Sequence, residues 1–436
     1  MSSTNTAPIT LERILDRGNL KRACKQVEQN KGSAGVDGMK VEELRAYCIE
    51  HPYEISRSIE DGSYQPQPIK RVYIPKDNGE QRPLGIPTVR DRFVQQAVAQ
   101  VLSEWYEREF SDNSFGFRPK RGCRDAINRA TEYVNSGLEW VIDLDLAKFF
   151  DTVNHSKLLQ ILSDKVKDGR VISLIHKFLK APVSENGVVG PKTRIGTPQG
   201  GCISPVLANI LLNSLDALLD RRHIRFARYA DDMCIFCGSK RAAERIMRRV
   251  KSFIEKKLLL RVNETKTKIV KVSEAVQFLG FAFTRRVEGR LKRKHPDRKW
   301  FPTVHQKKRK KLRAALEELL DRRAPGGIAK VQETLLLKLR GWCAYFKDSI
   351  PKSWMRAVDT WVRRRIRQIY WKQWKTRGHR YAEVKKLWPE APPVEEYAYA
   401  TNSYWRMAKT PLIHNALTNR ELQKRGWVWL EVFSGA

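Results

Sequence analysis

Two stretches of this chain place carboxylates where they are costly. One is Arg228-Tyr229-Ala230-Asp231-Asp232, set between Phe226 and the apolar run Met233-Cys234-Ile235-Phe236. Adjacent acids inside an apolar strand pair need partners if they are buried; at a hairpin tip, divalent cations can neutralise them. The other is Val141-Ile142-Asp143-Leu144-Asp145-Leu146, followed by Ala147-Lys148-Phe149-Phe150-Asp151. Asp143 and Asp145 share one face of a strand, so spacing alone does not say which of them meets the hairpin. Carboxylates converging from two strands are what a two-metal site requires. Hard oxygen ligands hold two Mg²⁺ about 3.5–4 Å apart, one activating a 3′-hydroxyl and one carrying a triphosphate and its leaving group. An isolated Asp-Asp pair is usually a turn or a solvated surface, so its company along the chain decides its meaning.

The elements that must carry these acids can be sketched from periodicity. Residues 1–65 read as a helical lead-in, with apolar residues at helical spacing before the turn-rich Asn30–Gly38, and short strands alternate with helices from about residue 66. Ile69–Pro75 is strand-like and Asp77–Gly79 a turn. Helices are expected over Asp91–Phe110, Ser156–Lys180, Gln199–Asp220 and Ala242–Leu259, with a strand at Glu139–Leu146 and a hairpin through Phe226–Phe236. Beyond Arg285 the pattern turns helical. Trp354, Val358, Trp361, Val362, Ile366, Ile369 and Tyr370 fall on one stripe, with Ser353 placed as an N-cap and Gly378 as a stop.

Composition narrows the function. The 436 residues include 83 Lys or Arg against 48 Asp or Glu, a formal charge of +35. Such a surplus concentrates polyanions, which makes nucleic acid the first expectation and an acidic membrane surface the second. No apolar run approaches the ~18–20 residues of a membrane span, and the first ten residues show no secretory signal. The seven cysteines are scattered and odd in number, which fits a reducing compartment. Cys234 and Cys237 read as packed thiols, because residues three apart on a strand face opposite ways. The chain is therefore expected in the cytoplasm. Residues 285–377 hold 29 basic against 8 acidic residues, and ten of the twelve tryptophans lie beyond 285. The tryptophans read as core, and Arg363, Arg364, Arg365 and Arg367 as a phosphate-binding face.

The acids keep ordered company. Arg82-Pro83-Leu84-Gly85-Ile86-Pro87 leads into Thr88–Ala99, and Ser114-Phe115-Gly116-Phe117-Arg118-Pro119 follows. Then come the Asp143–Asp151 segment, Gly196-Thr197-Pro198-Gln199-Gly200-Gly201, the Tyr229–Asp232 hairpin, Asn263–Lys266 and Phe278-Leu279-Gly280-Phe281. This series closely resembles the reverse transcriptases encoded by bacterial group II introns. The basic stretch Leu335–Trp374, with Arg340-Gly341-Trp342-Cys343-Ala344-Tyr345-Phe346, resembles their maturase domain.

The resemblance implies an α/β (α+β) right-hand polymerase. It would have an N-terminal extension (1–65), fingers and an antiparallel-sheet palm (66–285), a helical thumb or maturase domain (286–378) and a small helical DNA-binding segment (379–436). It also implies that Asp145, Asp231 and Asp232 are the catalytic acids, with the Leu146 carbonyl as a further ligand to two Mg²⁺, Mn²⁺ being able to substitute. Asp143 is then structural. Phe150, five residues after Asp145, is implied as the gate that excludes a ribose 2′-hydroxyl. Lys76 and Arg82 would grip the triphosphate of a dNTP, Gln199 would contact nucleotide and template, and Lys266 would lie near the pyrophosphate. The glycines beside Gln199 would let backbone approach a base pair closely; with no GK[ST] after them they form no P-loop. Implied partners are the intron RNA, an RNA template with its DNA primer, target DNA and dNTPs, in a bacterial cytoplasm, associated with nucleoid or RNA. Residues 379–436 hold no cysteine and only His379 and His414, so a Cys/His endonuclease is not expected there, as in the group IIC subclass. Two other functions compete: an RNA-binding splicing cofactor with an incidental polymerase, and a host-adopted reverse transcriptase serving DNA repair or CRISPR spacer acquisition.

Overall fold

The computed structural model describes residues 7–75, 79–197, 200–274, 276–285, 292–293, 295–324, 326–391 and 403–433. It divides into two compact units, Met1–Leu279 and Gly280–Ala436.

The first unit opens with α1 (Leu11–Leu15), α2 (Arg17–Gln29), α3 (Leu44–Glu50) and α4 (Glu54–Glu60). β1 (Ile69–Pro75) and β2 (Gln81–Ile86) pair antiparallel, and α5 (Val89–Tyr106) and α6 (Cys123–Asn135) follow. The strand β3 (Trp140–Leu144) leads through α7 (Phe149–Thr152), α8 (His155–Ser163) and α9 (Gly169–Lys180) to the short strands β4 (Val183–Glu185) and β5 (Val188–Val189). Next come α10 (Ser204–Arg221), the hairpin of β6 (Arg225–Tyr229) and β7 (Asp232–Cys237), α11 (Lys240–Lys257) and β8 (Lys268–Lys271). One sheet runs β2-β1-β4-β5; the other, fully antiparallel, runs β6-β7-β3-β8. Together they match the expected fingers with an antiparallel-sheet palm.

Period-two alternation gives the palm sheet two apolar faces. Ile142, Leu144, Phe226, Met233 and Ile235 join Val250 and Ile254 of α11 and the buried stripe of α10. On the opposite face Phe236 meets Tyr133 of α6, ring centroids 5.5 Å apart, and Asp143 and Asp232 project there. Both faces are needed to fix register, since a one-residue slip would bury the acids.

The second unit pairs β9 (Phe281–Thr284) with β10 (Phe301–Val304) and continues in helices: α12 (Gln306–Leu319), α13 (Ile328–Phe346), α14 (Lys352–Gln373) and α15 (Arg377–Leu387). Short helices α16 (Tyr404–Met407), α17 (Pro411–Ala416), α18 (Asn419–Lys424) and α19 (Leu430–Phe433) finish it.

Several expectations need correction. Ser156–Lys180 is two helices, because Asp168 caps a new one with its carboxylate on the Arg170 N–H. The cap position of α14 is Pro351 and not Ser353. Gly378 stops nothing: Thr376 caps α15, and Gly378 sits in its first turn. The arginine face of α14 is not a free phosphate-binding surface either, since α16 and α19 pack against that helix. Arg367 is 2% exposed and donates to the Leu417 carbonyl (2.9 Å) and to Asn419 Oδ1 (3.1 Å), and burial lowers its pKa to about 10. Arg365 pairs with Glu317, and Arg363 stacks 5.1 Å over Trp429; both are half-buried, as is Arg364. Guanidinium groups with long apolar stems serve as well inside a tryptophan-rich helical unit as on its surface.

Candidate active site

Of the two acids of the hairpin, Asp231 lies in its turn and Asp232 opens the strand that follows. Tyr229 pairs with Asp232, leaving Ala230 and Asp231 as a two-residue loop in which Ala230 takes φ 57°. Positive φ at the first loop residue gives the twist that two-residue hairpins favour. Asp145 ends the neighbouring strand, just beyond the Leu144–Met233 pair.

Asp145 is held by its backbone. Its N–H donates to Thr267 Oγ1 (3.1 Å), and its carbonyl accepts from the Asn263 N–H (2.9 Å) and the Thr267 hydroxyl (3.2 Å). The Ala147 N–H donates to the Arg261 carbonyl (2.8 Å), so Leu146 faces Val262 in an isolated antiparallel bridge. Because successive carbonyls alternate, that of Leu146 points away from the 261–263 segment. Asn263 Oδ1 accepts from Thr265 Oγ1 and the Lys266 N–H, forming a turn that returns Lys266 Nζ to 3.8 Å from Asp145 Oδ2. Asp143 pairs instead with Lys268, at 3.9 Å.

The electrostatics are those of crowded carboxylates. Burial, then the charges of Asp231, Asp145 and Asp143, push Asp232 up to about 6. Its side chain is open to solvent and yet densely surrounded by protein, the position of a group in the mouth of a cleft. Asp231 is raised by burial and by Asp145, and the Arg82 and Arg228 charges pull it partly back. Burial pushes Asp143 up to about 6 as well.

Among the described residues no three acid, histidine or cysteine side chains form a ready-made cage for a metal ion. The donors nevertheless fit Mg²⁺, which keeps several waters and takes one or two carboxylates plus substrate phosphates in preference to an all-protein cage. Three acids from two strands, each with oxygen ligands only and two of them destabilised as anions, form such a partial set.

Of the other expected residues, Arg82 lies on β2 opposite Ile74, with its charge felt at Asp231. Lys76 and Gln199 lie outside the described residues. Phe149 is buried and Phe150 half-buried, their rings edge to face at 5.1 Å. The Phe150 carbonyl accepts from the Thr197 N–H (2.6 Å), which ties the Gly196 segment to α7. Gly200 was expected to give a base pair room; the backbone it admits is the protein's own. A Cβ there would come within 2.3 Å of the Gly85 carbonyl, and φ is +118°.

Sequence reasoning missed the support beneath the turn. Arg228 points away from the carboxylate face and is fully buried. Its Nε donates to Asp216 Oδ1 (2.8 Å), and its Nη1 to Asn209 Oδ1 (2.9 Å) and to the Ala230 carbonyl (2.8 Å). Asn209 Nδ2 donates to the Gly116 carbonyl (2.8 Å). Residues 113–116 run alongside β6: the Phe115 N–H donates to the Arg228 carbonyl and the Arg228 N–H to the Asn113 carbonyl. Gly116 lies so close to the turn that a Cβ would stand 2.4 Å from the Ala230 nitrogen. Arg118 closes this segment on the Ser111 and Ser114 carbonyls and on Glu107. The signal was Arg228, the second of two arginines in a short strand and twelve residues after an aspartate in an apolar helix, which on the sequence stands only as a neighbour of the acids.

Comparison with known proteins adds independent findings. Residues 74–283 match the family model "Reverse transcriptase (RNA-dependent DNA polymerase)", and residues 309–388 match "Group II intron, maturase-specific domain". Protein YkfC of Escherichia coli is 32% identical over 341 residues, covering 69% of this chain and 88% of that protein. The group II intron-encoded protein LtrA of Lactococcus lactis is 32% identical over 336 residues, 62% of this chain; the match spans only 56% of LtrA's length. A putative COX1/OXI3 intron 2 protein of Saccharomyces cerevisiae is 28% identical over 316 residues, 59% of this chain and 36% of that protein.

Proposed function

The chain belongs to the group II intron reverse transcriptase and maturase family, and on that premise we propose that it copies RNA into DNA from dNTPs and binds its intron RNA to assist splicing and retrohoming. The observation that carries the polymerase reading is the meeting of Asp145, from the end of one strand, with Asp231 and Asp232 at the adjoining hairpin, where Asp232 feels the charge of the other two and Asp231 that of Asp145.

Reverse transcriptases use divalent metal ions. Here Asp145, Asp231 and Asp232, with the Leu146 carbonyl, would hold two Mg²⁺, supplying activation of the primer 3′-hydroxyl and neutralisation of the triphosphate. The protein's own groups do the rest. Arg82, on the β1–β2 hairpin, offers charge to the triphosphate before chemistry, with Lys76 proposed beside it and Gln199 against nucleotide and template. Lys266, poised on Asp145, is placed to neutralise or protonate the departing pyrophosphate. Phe150 presents its ring on the first turn after Asp145, where a 2′-hydroxyl would clash. The Asn263–Thr267 clamp and the Arg228 network keep the acids in register, which is where misplacement is expensive.

The decisive experiment is primer extension on an RNA template by Asp231→Ala/Asp232→Ala protein. Extension is expected to vanish while RNA affinity stays near wild type. Persistent extension would reject the site. The maturase reading is supported by the residue 309–388 match, and an in vitro splicing assay with the same variant tests it: retained splicing assistance makes that role independent of polymerisation, and a wild type that never assists ends it.

A further inference from the structure

The palm sheet carries a second concentration of charge on the face turned away from the carboxylates. Met233, Ile235, Ile142 and Leu144 point there and are covered by α10 and α11. Over these helices lies an open cleft of about 700 Å³, with Leu218 and Phe253 among its lining. Six cations line it as well: Arg222, Arg245, Arg248, Arg249, Lys256 and Lys257. No carboxylate lines it, and among the described residues none of the six makes an ion pair. Of the acids on these two helices, Asp216 pairs with Arg228, and Glu244 and Glu255 of α11 lie outside the cleft lining.

Like charges three and four apart destabilise a helix, so α11 bears this face at a cost that an anionic ligand offsets. The ligand must be long. From Arg245 to Lys257 the helix runs about 18 Å at ~1.5 Å per residue. That is the length of about five phosphates along one strand at ~3.4 Å each. A free phosphate or a nucleotide would leave most of the charges unmatched. The half-buried Phe253 and Leu218 add an apolar floor, on which sugar or base faces can rest.

We propose that this cleft binds the phosphodiester backbone of a second nucleic acid, distinct from the primer–template at the carboxylates, and that this strand is RNA. The choice of RNA rests on the family reading, in which the chain meets a structured RNA besides its template; RNA is bound largely through phosphates and 2′-hydroxyls. Separation from the primer–template follows from the fold. The palm sheet and a helical layer stand between the two sites, at about 10 Å per packed layer.

The test uses the full chain loaded with a chain-terminated primer on its template and the next dNTP, so that the polymerase site is filled. A fluorescent RNA hairpin is then titrated at several salt concentrations, with a DNA hairpin of the same sequence in parallel. Arg245→Ala/Arg248→Ala/Arg249→Ala, three exposed substitutions, should weaken RNA-hairpin binding about tenfold or more and lower the log–log salt slope by about 2–3. Primer extension by the variant should stay at the wild-type rate. Lys256→Ala/Lys257→Ala gives an independent second variant with a smaller change in slope. Unchanged affinity and slope in both variants would overturn the site. A parallel loss of primer extension would overturn its separateness, and a DNA hairpin bound as tightly and weakened equally would overturn the assignment to RNA. If wild-type protein extends no primer, the polymerase reading fails, and the hairpin measurement still stands by itself.

Discussion

Arg228 offers a way to separate holding the fold from holding the turn. Its guanidinium and the Asp216 carboxylate are both essentially inaccessible to water, and the same guanidinium also anchors the Ala230 carbonyl beside Asp231. Arg228→Met leaves Asp216 charged and unpartnered, which costs about 3–5 kcal/mol. At roughly 2–4 °C per kcal/mol for a unit of this size, the thermal midpoint should fall by about 6–20 °C. Adding Asp216→Leu removes the stranded charge. Apolar replacement of a buried ion pair is commonly neutral or stabilising by about 1–4 kcal/mol, so the double variant should recover most of the lost stability. It does not recover the anchor. With the Ala230 carbonyl unheld, a drift of about 1 Å in the acids would cost about 10²-fold in rate. The measurements are thermal or urea unfolding of each variant alongside single-turnover primer extension. Full stability with extension still depressed in the double variant is the expected result. A double variant that regains both would refute the positioning argument and reduce Arg228 to a packing residue.

Three further outcomes follow from the same geometry. Asp232 titrates near 6 in the fold, above its ordinary value of 3.8, so its contribution to stability is present below about pH 4 and lost as pH rises through about 6. Discounted for solvent screening, this is about 1 kcal/mol; Asp232→Asn should therefore raise the unfolding midpoint of metal-free protein at pH 8 and leave it unchanged at pH 4, while wild-type extension declines below pH 6 as the acid protonates. Gly116→Ala forces a Cβ against the backbone of the turn, so a cost of about 1–3 kcal/mol is expected from overpacking, with extension falling further than the unfolding curve alone accounts for; wild-type behaviour would mean the segment yields freely. Phe150→Ala should admit ribonucleotides in a mixed-substrate extension assay, and unchanged sugar discrimination would remove its role as a gate.

Much of the palm was legible because alternation and turn chemistry are local. The β6–β7 hairpin, the α5 helix and the strand carrying Asp143 and Asp145 all stand where period and punctuation put them. The choice between the two acids was not legible from spacing. In the fold, Lys268 pairs with Asp143, and Thr267 with Asn263 clamps the backbone of Asp145, the Thr267 contact spanning 122 residues of chain. The arginine stripe of α14 failed for a related reason. Helical period shows which residues share a face, but not that α16 and α19 return to cover it from roughly 40 to 70 residues downstream. Charge counts are blind to the same thing, and so the unpaired cations of α11 passed unnoticed while buried ones were assigned to phosphate.

The motifs along this chain therefore divide by what their residues touch. In Ser114–Pro119, Gly116 supplies the absence of a side chain beneath the turn, and Arg118 ties its own loop. In Thr88–Ala99, Asp91 accepts the Tyr64 hydroxyl, the Gln67 N–H and the Thr88 hydroxyl, while Arg92 holds the Ser33 carbonyl. Neither segment brings a group to the carboxylates. They spend buried polar contacts on orientation, and a buried polar group that loses its partner is costly in a way a lost surface contact is not. Substitution in these segments should thus lower stability and rate together, whereas substitution of Asp231 or Asp232 should lower rate with no loss of stability. That contrast distinguishes a chemical residue from a supporting one without reference to how close either lies to the site.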